Sequence, residues 1–253
     1  MKKIISQIPN FITSLNMVSG LVAVVFAIEG CLVWAGIFIC LAAVFDFLDG
    51  FAARLLKAYS QIGKQLDSLA DVISFGVAPG VILFTLLKLS MFGINQPVYE
   101  ISAKWYEWLT LFSAFLIPVF GAIRLARFNV APEESTFFRG LPIPANGIFW
   151  ASLGLIIGNS DNQALFELIF SIKSLLFLGV FISAMMVSNL PMFSLKFKTM
   201  GFKDNWFRYL FLIIALGLII FSTFYGLAFC IFAYIFLNVS LHFLKVNYSN
   251  VEK

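Results

Sequence analysis

Charge is scarce in this sequence. Asp, Glu, Lys and Arg make up 12% of 253 residues, about half the share of an ordinary soluble domain, which excludes a water-soluble enzyme with a charged shell. Histidine occurs once, as His242. Cysteine occurs only as Cys31, Cys40 and Cys230, each inside an apolar run and without Cys-x-x-Cys spacing. Neither a disulfide framework nor a thiolate metal centre is therefore expected. Low-complexity linkers, internal repeats and a soluble segment are also missing, so residues 1–253 read as one transmembrane domain.

What fills the chain is apolar: 61% hydrophobic residues, 17% aromatic ones and a mean hydropathy of +0.96. Disorder needs the opposite composition. The apolar residues come in runs of membrane-spanning length without the strict alternation of a transmembrane barrel, which predicts an all-α integral membrane protein. At about 20 residues per crossing the runs number about eight. They are Phe11 to Glu29, Leu32 to Lys57, Lys64 to Lys88, Lys104 to Arg127, Ile143 to Ile157, Ala164 to Ser188, Trp206 to Ser222 and Phe224 to Lys245. The fifth is short, and Lys173 sits awkwardly inside the sixth. Polar residues Thr13, Ser14 and Asn16 interrupt the first run, so it is not expected to be a cleaved signal segment.

The basic excess, net +4 with a pI near 9.0, reads as orientation rather than as nucleic-acid binding, because no basic and aromatic residues interleave along a stripe. With the N-terminus inside, Lys2, Lys3, Arg54, Lys57, Lys64, Arg124, Arg127, Arg139, Lys196, Lys198, Lys203, Arg208, Lys245 and Lys253 fall on one side. Lys88 and Lys104 fall on the other. That asymmetry follows the positive-inside rule and places an inside N-terminus in a multi-pass cell membrane.

Against this background the acidic residues are conspicuous. Between Glu29 and Glu100 the only ones are Asp46, Asp49, Asp67 and Asp71, all within apolar helices. An ionisable group at membrane depth costs at least about 2.5 kcal/mol on insertion scales and is functional by default. Asp46, Asp49, Gly50 and Ala53 share one helical face, as do Gly63, Asp67 and Asp71 on the next helix. The short connection from Leu55 to Ile62 makes the two helices antiparallel neighbours whose faces can meet. Four carboxylates brought together repel unless divalent cations hold them ionised, and oxygen-only ligation points to Mg²⁺ or Mn²⁺. Gly50, Ala53 and Gly63 leave room either for a bulky ligand or for close helix packing. Arg54 has the planar fork that suits a phosphate.

The string Asp46-x-x-Asp49-Gly50-x-x-Ala53-Arg54, eight residues, Gly63-x-x-x-Asp67-x-x-x-Asp71 resembles the signature of the CDP-alcohol phosphatidyltransferase family, matching it at all of its signature positions within segment 46–71. The resemblance implies that family's helical membrane fold and transfer of a phosphatidyl group from a CDP-linked lipid to an alcohol, with release of CMP. It implies Asp46, Asp49 and Asp67 as ligands of a pair of divalent ions, and Asp71 as general base toward the acceptor and as a further metal ligand. Gly50, Ala53, Arg54 and Gly63, with Asn10 and Thr13 at the start of the first span, would accommodate the CDP group.

Three further segments are similar to the bacterial and archaeal branch of the family whose acceptor is serine: Ile8-Pro9-Asn10 to Asn16, Arg124-x-x-Arg127-Phe128-Asn129, and Phe138-Arg139-Gly140 to Ala145. CDP-diacylglycerol and L-serine are then the expected substrates. A homodimer and an active site at the cytoplasmic face are expected too. Arg124, Arg127 and Arg139, in the acceptor segment around 124–146, are candidates for the serine carboxylate, which a guanidinium holds in two-point contact. Orientation by positive charge is the competing reading of each. Asn129 and Asn146 read as contacts to the amino acid or as satisfiers of backbone groups, and Pro142 and Pro144 as ordering an interfacial turn. His242 reads as structural. Two alternatives stay open: the same chemistry with glycerol phosphate or an inositol phosphate as acceptor, and a cation transporter lined by the aspartates.

Overall fold

The computed structural model describes residues 7–58, 60–130, 138–158, 163–193 and 201–244. Lys2, Lys3, Lys196, Lys198, Lys245 and Lys253, used above for orientation, lie outside them. The chain is helical almost throughout. Helix α1 spans Ile8–Ile28, α2 Leu32–Leu55 and α3 Gln61–Val72. A π-helical turn, Ile73–Val77, carries α3 directly into α4, Ala78–Phe92. Next come α5, Trp105–Phe112, and α6, Leu116–Val130, joined by a 3-10 turn. Helices α7, Ile143–Ile157, α8, Gln163–Ile169, and α9, Ile172–Val187, precede α10, Phe202–Phe243. The strands β1, Phe138–Arg139, and β2, Pro191–Met192, pair antiparallel with Arg139 opposite Pro191.

By length and composition five helices, or six if the bent α8–α9 pair is one span, can cross a membrane among the described residues. The sequence expectation of eight is thus not reproduced by that measure, and the differences are physical. Helix α7 covers the expected fifth span but has only 15 residues, about 22 Å at 1.5 Å per residue and short of a hydrocarbon core. The sixth run is bent by 59° between α8 and α9, where the Ser171 side chain caps α9 by accepting from the Ser174 N–H. Lys173 therefore lies in the first turn of α9, at the bend. Helix α10 is a 42-residue hydrogen-bonded run that turns back at Thr223, φ 45° and ψ −115°. Its halves face each other, with the Phe211 and Tyr234 rings 5.5 Å apart and the Cys230 Sγ 3.6 Å from the Ala215 carbonyl.

Without a hydrophobic drive between helices in lipid, backbone approach through small residues does the packing. The run Gln61–Phe92 is the centre of the bundle, with 67% of its apolar window buried against 11% for α10. A Cβ on Gly80 would stand 3.0 Å from Pro118 Cδ, and one on Gly76 3.4 Å from Pro118 Cα, so these glycines admit α6. Helices α2 and α7 meet reciprocally: a Cβ on Gly36 would lie 2.6 Å from the Ala151 carbonyl, and one on Gly154 2.6 Å from the Leu32 carbonyl. Gly154→Val is accordingly expected to lower the thermal midpoint in detergent by roughly 5 °C or more, read by thermal unfolding.

At the end of the bundle far from the aspartates, hydrogen bonds close the helix termini. Asn95 Nδ2 donates to the Ile28 carbonyl at 2.9 Å, capping α1, and Thr85 donates to the Ala27 carbonyl at 2.8 Å. Lys88 is buried, its Nζ donating to the Gln96 carbonyl at 3.1 Å and standing over the Phe84 ring.

Candidate active site

The aspartates meet as their helical spacing requires. Asp46, Asp49 and Asp67 each offer a carboxylate oxygen, and these atoms lie within 4.8 Å of one another. The route differs from the one expected. Helices α2 and α3 share little packing; both lean on α1 instead, so the carboxylates face each other across a gap walled by α1. From that wall the Thr13 hydroxyl lies 2.6 Å from Asp49 Oδ2 and fixes a carboxylate that is itself buried.

Asp71, one turn after Asp67, is buried and shares a hydrogen bond with Asp46. Its Oδ1 has no protein partner. Arg124, also buried, brings a guanidinium into charge interaction with Asp71 from α6, and its Nε has no hydrogen-bond partner either. Asn16 is wholly buried one turn below Thr13, with both amide atoms unpartnered.

An all-oxygen donor set of this compactness fits a hard divalent cation, and an orphaned buried carboxylate oxygen beside it fits a group that awaits a ligand or a proton. The small residues divide. A Cβ on Gly50 would meet nothing within 4 Å, so no helix packs there and the packing alternative does not hold for it. A Cβ on Gly63 would stand 2.8 Å from Asn10 Oδ1 and 2.9 Å from Ser60 Oγ. Gly63 thus brings the starts of α1 and α3 together, and Asn10 beside the site. Ala53 is half-buried and Arg54 exposed in the last turn of α2.

The three candidate acceptor arginines separate. Arg124 alone is buried beside Asp71. Arg127 is exposed, its Nη1 donating to the Val187 carbonyl at 3.1 Å at the end of α9. Arg139 is exposed on β1. Asn129 donates to Ser68 Oγ at 2.9 Å, tying α6 to α3 between Asp67 and Asp71. Asn146 satisfies a backbone group, the Phe75 carbonyl, at 2.6 Å. Pro142 and Pro144 belong to the start of α7, and the turn expected of them lies just before, at Gly140, φ 74°. Sequence reasoning missed the π-turn and the Tyr234 hydroxyl, which holds the Phe193 carbonyl at 2.7 Å and interacts with Arg124. The Tyr234 hydroxyl carries no periodic or compositional signal; the π-turn has one in Pro79, which cannot donate to the carbonyl four residues back, at Phe75.

The fold and this carboxylate centre define a class of helical membrane transferase. The model of the CDP-alcohol phosphatidyltransferase family matches residues 6–244, and the chain belongs to that family. The chain is similar to the archaetidylserine synthase of Methanothermobacter thermautotrophicus, 35% identical over 172 residues, 66% of this chain and 67% of that protein. It is similar to the CDP-diacylglycerol–serine O-phosphatidyltransferase of Helicobacter pylori strain J99, 31% identical over 251 residues, 94% of each chain. The Mycobacterium leprae protein of the same name is 36% identical over 149 residues, 56% of this chain and 44% of that protein.

Proposed function

We propose that this chain transfers the phosphatidyl group of CDP-diacylglycerol to the hydroxyl of L-serine, giving phosphatidylserine and CMP. The observation that carries the reading is that buried Asp71 interacts both with the carboxylates of the triad and with the buried Arg124. The names of the relatives support serine as acceptor.

Asp46, Asp49 and Asp67, with Asp71 adjacent, would hold Mg²⁺ or Mn²⁺, which when bound neutralises the pyrophosphate and the charge developing on departing CMP. The chain's own residues do the rest. Gly50 and Ala53 leave the α2 backbone open to the CDP group, Gly63 and Asn10 bound it from α3 and α1, and Arg54 reaches its phosphates from the end of α2. Thr13 holds Asp49 in one rotamer. The serine hydroxyl attacks the lipid-side phosphorus; the new O–P bond forms as the bond to CMP breaks, and the hydroxyl proton passes to Asp71. Arg124 receives the serine carboxylate, with Arg127 and Arg139 as outer positive charge.

The same reading sets the N-terminus and the site at the cytoplasmic face, where the soluble acceptor is found, in a homodimer. Incubating purified protein and Mn²⁺ with labelled CDP-diacylglycerol and serine, glycerol phosphate or an inositol phosphate tests it. CMP release with serine alone is expected; release with a phosphorylated acceptor would reassign the arginines. Arg124→Lys keeps the charge and loses the fork, so the serine KM is expected to rise about tenfold with that for CDP-diacylglycerol unchanged, read by steady-state kinetics.

A further inference from the structure

We infer that Asn146 is a positioning residue for the transfer: its amide locks the π-turn that follows Asp71 and thereby sets where the Asp71 carboxylate points. In Ile73–Val77 the backbone bonds reach five residues, the Ala78 N–H donating to the Ile73 carbonyl. Such a turn inserts one residue into the α-helical ladder, and one residue in a helix is about 100° of rotation. The run Gln61–Phe92 must do two things at once. Its first half turns Asp67 and Asp71 toward the α2 carboxylates, and its second half turns Gly76 and Gly80 toward Pro118 of α6. The inserted residue takes up the phase between these faces.

A π-turn is a poor conformation on its own and is held here from both sides. The Ser74 hydroxyl donates to the Asn16 carbonyl of α1 at 3.0 Å. From α7, Asn146 Nδ2 donates to the Phe75 carbonyl at 2.6 Å. Asn146 is wholly buried, and its orientation is set by Trp150, whose indole N–H donates to Asn146 Oδ1 at 3.1 Å. Oxygen thus faces the indole and nitrogen faces the π-turn. Gly147 completes the seat, since a Cβ there would stand 3.1 Å from Phe75 Cβ. In an α-helix the Phe75 carbonyl would turn to residue 79, which is proline and has no N–H, so the Asn146 amide supplies a donor that Pro79 cannot; without it the turn loosens and the last turn of α3, with Asp71, shifts out of line. The triad is spared, because Asp46 and Asp49 stand on α2 and Asp67 lies one turn further from the insertion.

The test uses the full-length protein in detergent with Mn²⁺. For Asn146→Leu, amide hydrogen exchange across residues 73–80 is expected to speed by about tenfold, and kcat per folded enzyme to fall by about tenfold. The KM for CDP-diacylglycerol and the Mn²⁺ dissociation constant, read by electron paramagnetic resonance, are expected to stay within about twofold. Trp150→Phe, which keeps the Phe75 bond but frees the amide to turn, is expected to show the same pattern at about threefold and serves if the first variant fails to fold. Unchanged exchange, an unchanged kcat, or Mn²⁺ affinity falling in step with kcat would each overturn the inference. The kinetic arm rests on the transfer proposed above. A wild-type protein that releases no CMP would sink that function, while exchange and Mn²⁺ binding still decide the lock.

Discussion

Asp71→Asn is expected to cut turnover by about a thousandfold while CDP-diacylglycerol and Mn²⁺ still bind. The expectation rests on where this carboxyl stands relative to the other three. The triad Asp46, Asp49 and Asp67 closes without it, and Asp71 joins through a hydrogen bond to Asp46 while its Oδ1 stays unpartnered. Asparagine has the same shape and can keep that neighbour bond, but it cannot take a proton. An acceptor hydroxyl then attacks without a base. Equilibrium binding of labelled CDP-diacylglycerol and Mn²⁺, measured beside CMP release, separates two roles. Loss of Mn²⁺ affinity in step with turnover would make Asp71 chiefly a metal ligand, and near-normal turnover would remove it from the chemistry.

Gly50→Ala is expected to do the reverse of an ordinary glycine change in a helix: the fold gains and the enzyme loses. In a helix interior alanine is favoured over glycine by about 1 kcal/mol, and a Cβ at position 50 meets no protein atom within 4 Å. The thermal midpoint in detergent should hold or rise. If the CDP group occupies the open space, the added methyl collides with it, and the KM for CDP-diacylglycerol should rise by about tenfold or more. Unchanged kinetics would place the CDP group elsewhere. Gly63 is the natural contrast, because there a Cβ presses on Asn10 and Ser60 and shifts protein atoms whether or not substrate is bound.

Much of the site was legible because helical periodicity is a strict geometric code. Spacings of three and four residues put Asp46 with Asp49 and Asp67 with Asp71 on single faces, and the triad follows from those faces. Scarcity helped: four aspartates in apolar helices stand out where a charged surface would have hidden them. The chain turn inside α10 falls at Thr223, the boundary drawn between the last two apolar runs, because the run was too long for one crossing.

What stayed hidden depends on contacts between distant segments. The short connection suggested that α2 and α3 would be direct neighbours, whereas each rests on α1. Arg124, Arg127 and Arg139 are alike as letters and differ only in what surrounds them. Asn146 was legible as a satisfier of backbone groups, but the group itself, the Phe75 carbonyl, needed the π-turn, whose mark in the sequence is Pro79, four residues on and without an N–H.

The hydrogen-bonded far end of the bundle bears on the question the aspartates raised first, whether they line a route for ions. There Asn95 and Thr85 stitch the end of α1 to α4 and its following loop, and the Lys88 ammonium is buried in the same region. A cation that descended from the carboxylates along this seam would meet the Lys88 amine and carbonyls already engaged by Asn95 and Thr85. Built this way, the α1–α4 seam is fastened at its far end, which suits an acidic end that works as a site of reaction better than one that feeds a through-path.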